Sequence, residues 1–155
     1  MQVDDPAVLD VIRRCMVARI ATLSSNRRPS INPLYFVTVN GHVWLGTADR
    51  TLAARNVKAD PRVSVLFNVE RDRSDRRVLR LSGRAGVNVD RDVQRTYQSR
   101  VARKYILTPA GLLHYLINLR LLRPMHFYHA QSAEKGLACV IDVTTEHAEF
   151  LNDDR

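Results

Sequence analysis

Between Leu45 and Phe67 the chain reads LGTADRTLAARNVKADPRVSVLF, and this run allows few folds: a strand, a turn, a short helix and a second strand must follow without slack. Val43 and Leu45 alternate with Trp44 and Gly46 in the two-residue period of a half-buried strand. Thr47, Asp49 and Thr51 are side chains suited to a helix N-terminus. A helix through Leu52, Ala53, Ala54, Val57 and Ala59 stops at Asp60-Pro61, because the residue before a proline is pushed out of the helical region. Val63, Val65 and Phe67 then resume the strand period. Such a turn aims free backbone N–H groups and the positive end of the helix dipole at one spot, beside the Thr47 and Thr51 hydroxyls and the Arg50 and Arg55 guanidinium groups. The pattern suits a phosphate seat. Simple capping by the threonines and solvation of the arginines account for the same residues.

The formal charge of +8 invites a nucleic-acid reading, but 21 of the 24 basic residues are Arg, they are scattered, and aromatics make up only 6%. A solvated basic surface is expected, with no nucleic-acid partner. Cys15 and Cys139 lie in apolar runs without CxxC spacing, which predicts buried, reduced thiols and a cytoplasmic setting. The start MQVDDPAVLD is acidic and lacks a signal-like apolar run, and no stretch reaches the roughly 18 to 20 apolar residues of a membrane span. No HExxH, P-loop, GxGxxG or serine-nucleophile elbow is present, so hydrolase and nucleotide-kinase readings have little to rest on.

Taken in order, Asp5-Pro6 opens a first helix carrying Val8, Leu9, Ile12, Cys15 and Met16 at helical spacing. Arg19 to Leu23 reads as a strand, and Ser30 to Val39 as one further strand in which Pro33 requires an edge, a bulge or a ligand in place of a neighbour. Asn40-Gly41 is a two-residue hairpin turn. A charged loop follows Phe67, then a long strand from Val78 to Val87 with Arg80, Ser82 and Arg84 opposite its apolar face. Asp90 to Tyr105 predicts a helix with Val93, Tyr97, Val101 and Tyr105 in line. Residues 109–122 predict a helix apolar nearly all round, suited to core packing, a subunit interface or a lid. Ala138 to Val143 restores a strand.

The run VARIATLSSNRRPSINPLYFVTVNGHVWLGTADRTLAARNVKADPRVSVLF followed by VLRLSGRAGV resembles the pyridoxamine 5'-phosphate oxidase-like family, whose members bind FMN or the deazaflavin coenzyme F-420. The resemblance implies a mainly β (α+β) fold: a six-stranded antiparallel split β-barrel with flanking helices and an extra apolar helix before the last strand. It implies a single domain over 1–155, with its core in 17–90 and 138–150 and a helical segment at 90–125. It further implies a homodimer with cofactor between the barrels, a small-molecule substrate, and a flavin ring beside Asn32, Pro33, Leu34 and Tyr35. Thr47 and Thr51 would approach the cofactor phosphate with Arg50 or Arg55, while Arg80 and Ser82 would come from the other subunit. Family members carry a basic residue at the positions of Leu52 and Ala53; here neither is charged, so Arg50 or Arg55 substitutes or the phosphate contact is weakened. The ending EHAEFLNDDR lacks the arginine-containing segment of true pyridoxamine phosphate oxidases, which argues against vitamin B6 phosphate as substrate.

The leading expectation is therefore a flavin- or deazaflavin-dependent oxidoreductase moving hydride to or from an apolar or conjugated small molecule. Of the two cofactors F-420 is favoured, since its acidic tail suits a basic cleft and arginine-rich chains are common in high-GC bacteria. Tyr35, Tyr97 and Tyr128 are candidate proton donors or core residues. The alternatives are a binding protein without turnover and, less favoured, haem ligation by His126 and His129. No metal site is expected.

Overall fold

The computed structural model describes residues 3–69, 72, 74–107 and 136–151. Asp5 accepts the Ala7 N–H at 2.9 Å and Pro6 takes the first helical position, which starts α1 (Pro6–Arg14) as the sequence predicts. The strands are β1 (Ala18–Leu23), β2 (Pro29–Leu34), β3 (Phe36–Val39), β4 (His42–Ala48), β5 (Arg62–Asn68), β6 (Val78–Asn88) and β7 (Ala138–Phe150). Between β4 and β5 lies α2 (Leu52–Ala59), and after β6 comes α3 (Arg91–Val101), which runs into a π-helical turn over Ala102–Ile106.

The strands form one antiparallel sheet in the order β2-β1-β5-β6-β7-β4-β3. The edge strands β2 and β3 are separated in sequence by Tyr35 alone, so the sheet must curl until its edges approach one another at that residue. The fold is thus a mostly β half-barrel with flanking helices. It has seven strands among the described residues, where the sequence predicts six. The expected strand Ser30 to Val39 is divided because the chain changes partner: it pairs with β1 through Leu34 and with β4 from Phe36. The buried face changes as well, since Ile31 and Pro33 are exposed while Val37 and Val39 are buried. At the break, the Tyr35 carbonyl accepts the Gly46 N–H at 3.2 Å and the Tyr97 hydroxyl at 3.0 Å.

Pro33 lies on an edge strand, where its missing N–H costs no ladder bond. Asn40 and Gly41 have φ of 51° and 82°, the double positive φ that the β3–β4 turn demands. Strand β7 runs to Phe150, well past the Val143 that the apolar run predicts, because its second half pairs along β6 with only one face buried. The core is packed by Ile20, Phe36, Leu45, Phe67, Leu79, Leu81 and Ile141, all buried, with Phe36 and Phe67 edge to face at 5.0 Å. Each such side chain contributes roughly 1.5 to 3 kcal/mol through removal from water. Among the described residues no helix is long and apolar enough to cross a membrane. The apolar stretch 109–122 lies outside the described residues.

Candidate functional site

The strand-turn-helix run forms as expected, and Thr51 is the N-cap of α2. Its hydroxyl donates to the Ala48 carbonyl at 2.8 Å and accepts the Ala54 N–H at 3.4 Å. A hydroxyl has one proton, so in the 3.0 Å contact between the two threonine oxygens Thr47 is the donor. Both threonines therefore brace the turn. The N–H groups of Leu52 and Ala53, in the first turn of α2, have no hydrogen-bond partner among the described residues. Arg50 and Arg55, before and within α2, are exposed and have no carboxylate partner among the described residues. Leu52 is exposed, whereas Ala53 is only 2% exposed, so a long basic side chain at 53 would have no room.

Sequence reasoning missed two residues of this region. Lys58 reaches back along α2 until its ammonium lies 3.5 Å from the Asp49 carbonyl. The positions 51, 55 and 58 share one helical face, and that spacing is the signal that could have found it. Asn56 is 4% exposed and donates to the Thr22 and Ser30 hydroxyls, each at 3.0 Å. It ties α2 to β1 and β2 and so fixes where the turn stands against the sheet. Asp49 is held in turn by the returning chain: its N–H donates to the Leu137 carbonyl at 2.9 Å, and its carboxylate accepts the Leu137 N–H at 2.8 Å. Across from Thr47 on β7, Cys139 is buried, and burial pushes its thiol up to about 11, which keeps it protonated and unreactive.

Asn32, Pro33 and Leu34 of β2 and Tyr35 just after it divide by face. Asn32 and Leu34 are half-buried, and the Asn32 Oδ1 is buried without a hydrogen-bond partner among the described residues. Pro33 and Tyr35 are exposed, Tyr35 by 60%, with its ring edge-on to Tyr105 at 5.1 Å. Tyr97 is spoken for by the Tyr35 carbonyl, and burial pushes it up to about 12, so it is a clamp and a poor acid. Arg80 and Ser82 are on β6, two strands from β4, and do not join the turn within one chain. Arg80 is paired with Glu149, and the Ser82 hydroxyl lies 3.2 Å from that of Ser64, beside a cavity of about 410 Å³ reached by Ala21, Leu23, Pro29 and Arg62. Tyr128, His126 and His129 lie outside the described residues. Among the described residues no cluster of His, Cys, Asp or Glu could hold a metal.

A curled antiparallel sheet with a short helix joining two of its strands is a split-barrel arrangement. The chain belongs to the pyridoxamine 5'-phosphate oxidase family, whose model matches residues 4–152. Solved structures share the fold at low identity. A conserved hypothetical protein of Mycobacterium tuberculosis, Rv2991, is 16% identical over 97% of this chain and 85% of its own, with a TM-score of 0.69. An F-420 reductase is 16% identical over 90% of this chain and 94% of its own, TM-score 0.61. A heme binding protein from Mycobacterium smegmatis is 16% identical over 94% of this chain and 52% of its own, TM-score 0.60. No curated protein matches.

Proposed function

We propose that the chain binds a flavin-type cofactor, F-420 ahead of FMN, through an anionic group seated at the Thr47–Thr51 turn, and acts as an oxidoreductase on an apolar or conjugated small molecule. The observation that supports this reading is a helix start whose first-turn N–H groups have no partner among the described residues, with the Lys58 ammonium 3.5 Å from the Asp49 carbonyl and with Arg50 and Arg55 exposed on either side of that start in sequence. These residues fit an anion: Arg50 and Arg55 supply the charge that Leu52 and Ala53 lack, and Lys58 adds a third cation. F-420 is favoured because a seat with several cations suits a phosphate that continues into an acidic tail.

When bound, such a cofactor supplies the hydride chemistry. The chain's own part is to hold and shield. The first-turn N–H groups and the guanidinium groups orient the anion, Thr47 and Thr51 keep the turn rigid, and Asn56 anchors the helix to the strands beside which the ring would lie. Of the two candidate tyrosines among the described residues, the exposed Tyr35 would be the one free to give a proton to substrate, since Tyr97 is engaged. In a homodimer, Arg80 and Ser82 of the second subunit would complete the site.

Turnover is tested by following absorbance of reduced F-420 with menadione as a conjugated acceptor. Acceptor-dependent oxidation that needs the protein supports the enzyme. Tight binding with no oxidation favours the second reading, a cofactor-binding protein, for which the buried uncharged Ala53 is the supporting observation. Absence of binding removes both.

A further inference from the structure

A cavity of about 660 Å³ lies away from the turn, between α1, the β3–β4 hairpin and the end of α3. It is at the opposite end of β4 from Thr51, roughly 20 Å away at the usual rise per strand residue. Its walls are apolar: Leu9 and Ile12 from α1, Val37 and Val43 from the hairpin. Its charged lining is mostly cationic, with Arg13, Arg100, Arg103 and Lys104 against Asp4; Arg13 is paired with Asp10 at 3.1 Å and Arg100 donates to the Thr38 carbonyl at 3.3 Å, while Arg103 and Lys104 have no carboxylate partner among the described residues.

Lys104 is the unusual member. It falls within the π-helical turn Ala102–Ile106, where the extra residue turns Lys104 and Tyr105 toward the sheet. Tyr105 is fixed there, its single hydroxyl proton shared between the Met16 and Phe36 carbonyls at 2.8 and 3.0 Å and its oxygen accepting the Phe36 N–H at 3.3 Å. The Lys104 ammonium sits 3.3 Å from the centroid of the Phe36 ring, itself fully buried, and has no hydrogen-bond acceptor or carboxylate among the described residues. Burial brings its pKa down to about 8, as expected of a cation short of counter-charge. A cavity of this size is typical of small-molecule sites. What it lacks is an anion.

We propose that this cavity is a binding site for a small amphiphilic carboxylate, with the apolar body between Leu9, Ile12, Val37 and Val43 and the carboxylate on Lys104, Arg100 and Arg103 closing the mouth. A free molecule fits better than a bilayer lipid, because the cation stands inside the cavity beside Phe36 and not on an outer face. The site is independent of the cofactor reading and shares no residue with it.

The test is isothermal titration calorimetry of the full chain with octanoate and, as the uncharged control, octan-1-ol. Saturable octanoate binding about tenfold or more tighter than octanol is expected, as a charge-assisted contact gives. Lys104→Gln should bring octanoate to the level of octanol, and Thr38→Trp, which fills the cavity from an exposed position, should abolish both. Should Lys104→Gln fail to fold, Arg100→Gln, at an exposed residue, must still weaken octanoate selectively. Equal binding of acid and alcohol, binding of neither, or octanoate binding that survives these substitutions overturns the proposal. F-420 or FMN titration of the same variants should be unchanged, which separates failure here from failure of the cofactor site.

Discussion

Thr51 has two duties at one oxygen: it gives its proton to the Ala48 carbonyl and receives both the Thr47 proton and the Ala54 N–H. Replacing it with alanine removes the cap and the brace together. Thr51→Ala should cost about 1 kcal/mol of stability in denaturant unfolding, and Thr51→Ser should restore most of it. Arg50, Arg55 and Lys58, the cations proposed for the anion seat, are exposed, so their removal should leave stability nearly unchanged. That separation makes cofactor affinity readable without an effect on folding.

At the scale of elements, β6 offers a paired prediction. Its register shifts between Ser82 and Gly83 against β7, and a Cβ on Gly83 would stand 2.1 Å from the Thr144 carbonyl oxygen and 3.0 Å from the Thr145 Cα. Backbone cannot yield cheaply, so Gly83→Ala should destabilise by about 1 to 3 kcal/mol or more. Gly86, on the same strand, has open space around its missing Cβ, and Gly86→Ala should be neutral or mildly stabilising. Thermal unfolding of the two variants decides this. The elements also show what could be read from sequence and what could not. Asp5-Pro6, Asn40-Gly41 and Asp60-Pro61 set their own backbone by local sterics and capping, so α1, the hairpin and the end of α2 were legible. The break at Tyr35 was not, because it is imposed by Gly46 and Tyr97, residues distant in sequence. Asn56 was hidden for the same reason, its partners being Thr22 and Ser30. Thr47 and Thr51 at the start of α2 could be read from residue type and spacing; how Asp49, Lys58 and Leu137 gather around it depends on the folded chain.

For the molecule as a whole, an ion network ties α1 to the segment before β6. Arg14 meets Asp72 at 2.7 Å and Asp75 at 2.8 Å, and Arg77 meets Asp75 at 2.7 Å and Asp10 at 2.9 Å. Asp75, with its side chain 7% exposed, is lowered from 3.8 to about 2, chiefly by hydrogen bonds from Arg77, and Asp10 and Asp72 are lowered too. A folded pKa below the unfolded value means that the unfolded chain binds the proton first. The network's stabilisation is therefore complete above the ordinary aspartate value and is lost as pH falls toward about 2. Thermal midpoints between about pH 5 and pH 2 should drop steeply, and Arg77→Gln should flatten that dependence.

On the proposed function, the start of α2 would hold the anionic part of a flavin-type cofactor. A fluorescence titration of the chain with F-420 and with FMN, repeated on Arg50→Ala, Arg55→Ala and Lys58→Ala, tests it most directly. Saturable micromolar binding is expected, F-420 tighter than FMN, weakened about tenfold by loss of a contacting charge while stability holds. Saturable binding of neither cofactor, or binding that all three substitutions leave untouched, would contradict it.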